Sequence, residues 1–185
     1  MIDEPLVEFE PFVHGDGTQP WDLTRKQAQA LHEELLLRIP TIAASVRDAV
    51  TRDGVILGSG PREDSELVGE WLVARSRLVP AARPAEPDPF WVNEPVLSIP
   101  TMSACCRVAY FFGERLKQVL PEAEWRLDTS NKRHIYYHQT VLMVPGSKDM
   151  LQPVNILLNF VRLRIIDRHP CSLGGFFDYW VERLS

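Results

Sequence analysis

"NKRHIYYHQTVLMV", residues Asn131 to Val144, decides how the C-terminal half of this chain is read. Two of five histidines and two of four tyrosines fall within five residues, and the sequence then turns apolar. Its β-branched and aromatic content predicts a strand through "IYYHQTVLMV", centred on Tyr137–Val144. On a strand, side chains alternate, so His134, Tyr136 and His138 share one face. Four strand residues hold the two imidazoles about 13 Å apart at the backbone. Zinc needs each ring nitrogen at about 2 Å, so the pair does not clasp one ion and no metal is expected. On a helix the spacing would suit HExxH chemistry, but Tyr136 and Tyr137 stand where that motif needs a general base.

Working outward, "PEAEWRLD" predicts a partner strand around Trp125 and Leu127, and "VPGSKD" a turn. Upstream, "TMSACCRVAYFFGERLKQVL" predicts a helix capped by Thr101 or Ser103, with Cys105, Val108, Ala109, Phe112, Leu116 and Val119 on one face. Downstream, Pro153 opens an apolar helix, "PVNILLNFVRLRII", and "FFDYWVERL" closes the chain as a short amphipathic helix.

The N-terminal half reads as helical. Residues 1–20 suggest an extended arm with a turn at "HGDG". Thr24 caps a helix whose stripe is Leu31, Leu35, Leu36 and Ile39, and Pro40 ends or kinks it. A second helix follows from Thr41 to Asp53, stopped by Gly54. A third starts near Asp64 or Ser65, with Leu67, Val68, Trp71, Leu72 and Leu78 inward. Residues 80–100 carry six prolines and form an extended connector, whose Phe90 and Trp91 suit a core contact or a protein-partner surface. The expected fold class is α+β: a helical region over 1–79, a Pro-rich strap over 80–100, and a module over 101–185. That module is a small antiparallel sheet backed by about three helices, and the whole is also compatible with one compact domain.

Composition excludes several classes. Twenty basic against twenty-five acidic residues give a net charge of −5, unsuited to tracking phosphates, so no nucleic-acid partner is expected. Runs such as "VNILLNFV" are too short to span a bilayer, so no membrane partner is expected either. Three cysteines and an acidic, Pro-containing N-terminus suit a reduced, cytoplasmic protein. The glycines of "GVILGSGPRED" lack the Lys-Ser/Thr of a phosphate loop, and no cofactor is expected.

Two constellations carry the functional expectations. Cys105 and Cys106, if they lie in the first turn of their helix, gain a lowered thiol pKa, and His134 or His138 could serve as base. Against this, Cys105 sits on the apolar stripe, where a small buried thiol needs no chemistry. The second is a ligand pocket built from Glu114, Tyr136, Asn155, Asn159 and Arg162, the last three sharing one side of a helix at i, i+4 and i+7. Gly113 beside Glu114 marks a close approach inside a helix.

Phe112-Gly113-Glu114, Trp125, the Tyr137–Val144 strand and Pro153 with Asn155 and Asn159 together resemble a loose group of uncharacterised actinobacterial proteins. The likeness spans roughly residues 101–184. It implies a compact α+β module and no particular chemistry. The chain therefore reads as a binding, interaction or accessory (immunity-type) module. The alternative is a small enzyme acting on an acyl, amide or other small-molecule substrate through a Cys–His or Glu-centred site.

Overall fold

Thr24 starts the first long helix of the computed structural model, which describes residues 20–80 and 95–185. Its hydroxyl accepts the Gln27 N–H while the Gln27 side chain accepts the Thr24 N–H at 2.9 Å, a reciprocal cap. The helix, α1 (Arg25–Arg52), runs without a break through Pro40, where the sequence predicted two helices. A mid-helix proline removes one hydrogen bond and crowds the preceding turn, at a cost of about 3 kcal/mol. Pro40 lies on the exposed side, and on the other side Leu35, Ile39, Ile42, Val46 and Val50 continue one buried stripe across it. Each such side chain contributes about 1.5–3 kcal/mol when buried, so the stripe outweighs the proline. Gly54, at φ 84°, ends the helix as expected.

Pro61, at the first helical position, sets the start of α2 (Pro61–Arg75) about one turn earlier than Asp64 or Ser65. Val68, Trp71 and Leu72 are buried, whereas Leu67 is partly exposed. Asp53, just past α1, accepts the Trp71 Nε1–H at 2.6 Å and pairs with Arg75 at 2.7 Å, which fixes α2 against the end of α1. Asp64 is buried; it accepts the Gly58 N–H at 2.7 Å and pairs with Arg115 at 3.0 Å.

The two ends of the Pro-rich strap are stitched together. β1 (Leu78–Val79) pairs antiparallel with β2 (Val96–Leu97), Leu78 opposite Leu97. Arg77 donates its N–H to Thr101 Oγ1, and Ser98 donates its N–H to the Arg77 carbonyl, both at 2.9 Å. The strap residues Phe90 and Trp91, like the expected arm and "HGDG" turn, lie outside the described residues.

α3 (Ile99–Val119) is capped by Ser98, whose hydroxyl accepts the Thr101 N–H. The expected caps, Thr101 and Ser103, are instead inside the helix, because Pro100 fits its first turn. Ala104, Cys105, Val108, Ala109, Tyr110, Phe111, Phe112 and Leu116 are all buried, so the middle of α3 is covered on most sides, mainly by α1, α2 and α4, whereas Val119, expected on the same face, is exposed at the helix end. A side chain at Gly113 would place its Cβ 2.3 Å from the Trp125 ring. The glycine lets the indole lie on the helix, and Glu114 Oε1 accepts the indole N–H at 2.8 Å.

Trp125 belongs to β3 (Glu124–Leu127), which pairs antiparallel with β4 (Thr140–Met143), Trp125 opposite Leu142. β4 is shorter than the expected Tyr137–Val144 strand, since residues 131–139 coil into successive turns. Leu142 also exchanges two 2.8 Å hydrogen bonds with Leu151. α4 (Pro153–Ile165) is capped by Gln152 and α5 (Leu173–Leu184) by Ser172. The fold is α+β, and one continuous core joins α1 and α2 to α3, α4 and α5 across the strap.

Two substitutions test this packing. Gly113→Ala should destabilise the protein by about 1–3 kcal/mol in urea denaturation and red-shift tryptophan emission, as the indole is displaced. Asp64→Ala strands a buried guanidinium and should cost about 3–5 kcal/mol, whereas Asp64→Leu combined with Arg115→Met should cost distinctly less.

Candidate functional site

The turns between β3 and β4 are organised by Asp128. Its backbone N–H donates to the Gln139 carbonyl at 2.9 Å, and its carbonyl accepts the His138 N–H at 2.7 Å. Its carboxylate accepts the Ser130 N–H at 2.9 Å, the Ser130 hydroxyl at 2.6 Å and His134 Nδ1 at 2.5 Å. Burial alone would raise this carboxyl, but the bonds from Ser130 and His134 outweigh it and hold its pKa below the ordinary value. Within the loop, N–H groups of His134, Tyr137 and Gln139 donate to carbonyls three residues back. His138 closes it in the left-handed region, φ 62°. The extended-backbone reading of His134–His138 is therefore overturned. Three local hydrogen bonds and a buried carboxylate outcompete strand propensity where no neighbouring strand continues the ladder.

The two imidazoles have different surroundings. His134 bonds Asp128 and meets the Tyr136 ring edge-on at 5.3 Å. His138 stacks on Tyr137 at 3.8 Å, is only 6% exposed, and has a hydrogen-bond partner at neither ring nitrogen. It lines a cavity of about 220 Å³. Leu23, just before α1, and Ala28, Leu31 and His32 within it supply one side of its wall, α3 supplies Cys106 and Tyr110, and β4 begins there at Thr140. Gln152, Val154 and Asn155 complete the side at α4.

His32 Nδ1 lies 2.9 Å from Thr140 Oγ1, tying α1 to the sheet at the cavity edge. Burial pushes the His32 pKa down, opposed by Glu33. Burial also raises the Tyr110 phenol and pushes the Cys106 thiol up to about 11, with Arg107 opposing. At neutral pH the imidazole, phenol and thiol are therefore uncharged. No Asp, Glu, Lys or Arg is among the described residues lining the cavity.

The residues singled out from sequence are distributed unevenly around it. Cys106, His138 and Asn155 line the cavity. Cys105 is fully buried in the core, and burial pushes its thiol up. Both thiols lie about two turns into α3, beyond reach of its N-terminal field, because the helix starts at Ile99. His138 makes no hydrogen bond to Cys106. Glu114 is engaged by Trp125 and Lys117, Tyr136 by His134, and Asn159 and Arg162 are exposed on α4. These four are not among the described residues that line the cavity with Asn155. Among the described residues no group of three or more His, Cys, Asp or Glu could hold a metal ion, and no helix is long and apolar enough to cross a membrane.

Sequence reasoning missed His32, Tyr110, Thr140 and Gln152. His32 carried a signal: it stands on the stripe Ala28, His32, Leu35, Ile39, a polar residue in a buried row. The other three are ordinary strand, helix and cap residues whose convergence is purely tertiary.

The depressed Asp128 pKa gives a signed pH dependence. Its stabilisation is present above the unfolded value, about 4, and is lost as pH falls through the lower folded value. Hydrogen exchange at the His138 amide, which donates to the Asp128 carbonyl, should accelerate across that acid window. Asp128→Asn should show fast exchange already at pH 6.

In comparisons with protein-family models, curated proteins and solved structures, nothing matches this chain.

Proposed function

We propose that the chain is a non-catalytic binding module that encloses a small molecule in the cavity between α1, α3, the 131–139 turns and the start of α4. The observation that carries this reading is His138, buried on the cavity wall with both ring nitrogens unpartnered. A buried polar group without a partner costs about 1–3 kcal/mol. The left-handed backbone at the same residue adds a cost of similar order. A ligand that bonds the imidazole offsets the first of these costs and gives the second a purpose.

The enzyme alternative draws on Cys106, which shares the wall with His138. A thiol nucleophile needs a depressed pKa or a base in contact. Cys106 has a raised pKa, and no hydrogen bond joins it to His138. Both facts favour binding over thiol chemistry.

A fragment screen by thermal denaturation, run on the wild type and on Leu31→Trp, tests the proposal. The indole at position 31 fills the cavity from α1. At about a hundredfold excess over Kd, a true ligand should raise the wild-type Tm by about 5–10 °C and leave Leu31→Trp unmoved. If no fragment separates the two proteins, and native Cys106 alkylates at pH 7 as fast as the unfolded chain, the binding module gives way to the thiol enzyme.

A further inference from the structure

The chemistry of the cavity wall narrows what it can hold, on the premise that it is a binding site at all. Three features bear on this independently. The volume, about 220 Å³, lies between the roughly 150 Å³ of an engineered cavity that takes benzene and the 300 Å³ or more of sites for drug-sized molecules. The described lining residues include no Asp, Glu, Lys or Arg; the titratable ones are His32, His138, Cys106 and Tyr110. An ion brought here leaves water without meeting an opposite charge, which is strongly unfavourable. The wall is mixed: His138, Gln139, Gln152 and Asn155 are among its polar residues, while Leu23, Leu31 and Val154 are apolar. Both His138 ring nitrogens are buried without partners, so the best complement is a head group that can both donate and accept a hydrogen bond.

We infer that the cavity selects an uncharged molecule of one ring or two small fused rings, its apolar body against Leu23, Leu31 and Val154 and an amide- or alcohol-type head on the His138 imidazole. Charged analogues of the same size are excluded by desolvation. Apolar analogues are disfavoured because they leave the His138 nitrogens as bare as in the empty cavity.

Titration of the full chain at pH 7.5 with five probes tests this: benzamide, benzyl alcohol, toluene, benzoate and benzylamine. Benzamide and benzyl alcohol should bind, toluene about tenfold more weakly or worse, and the two ions more weakly still. His138→Asn provides the second arm, since asparagine accepts left-handed backbone. It should keep toluene binding and bring the benzamide-to-toluene ratio close to one. Benzoate or benzylamine binding as tightly as benzamide would overturn the selection for uncharged ligands while leaving the cavity a binding site. Toluene matching benzamide on the wild type, or an unchanged ratio in His138→Asn, would overturn the role of His138. Silence from all five probes, toluene included, would remove the binding reading itself.

Discussion

Burial of the middle of α3, Ala104 to Leu116, on most of its sides is the constraint on which the other elements depend. A helix with Cys105, Val108, Ala109, Tyr110, Phe111, Phe112 and Leu116 all inward exposes too much apolar surface to stand alone. α1, α2 and α4 supply the cover, and α5 closes over Phe112 through Phe177, whose rings meet edge-on at 6.0 Å. Trp125 reaches α3 only because Gly113 has no side chain, and it brings the β3–β4 hairpin with it. The hairpin in turn places the 131–139 turns beside the start of α1. The position of His138 thus traces back, contact by contact, to the packing of one central helix.

Much of this architecture was legible in the sequence because it is written locally. Thr24, Pro153 and Gly54 act on their own backbone neighbours, and the stripes of α2 and α3 repeat at helical spacing. The errors fell where a distant contact outweighed a local preference. Pro40 reads as a stop, yet the row from Leu35 to Val50 carries the helix through it. Ser98 caps α3 ahead of two equally good candidates because Pro100 belongs in a first turn. Residues 134–138 have strand composition, but the carboxylate of Asp128 gathers them into turns. The run Asp128-Thr129-Ser130-Asn131, dense in residues that bond their own backbone, was the available clue.

The cavity was legible only in fragments. Cys106, His138 and Asn155 were named for other reasons, as nucleophile, base and part of a polar cluster. Their true neighbours, His32 and Tyr110, drew no notice, since a histidine on a helix stripe and a tyrosine among phenylalanines look structural. What unites them is the cavity wall they share. Burial lowers the His32 imidazole and raises the Cys106 thiol and the Tyr110 phenol, which keeps these three in their neutral forms.

The short pairing of Leu78–Val79 with Val96–Leu97 has a thermodynamic corollary. Because the chain leaves and returns at the same stitch, the intervening segment spans no distance that the body of the protein requires. Closing such a loop costs only about 0.6 kcal/mol more for each doubling of its length. The stitch itself, rather than the length of chain between its two strands, keeps α2 and α3 in registration.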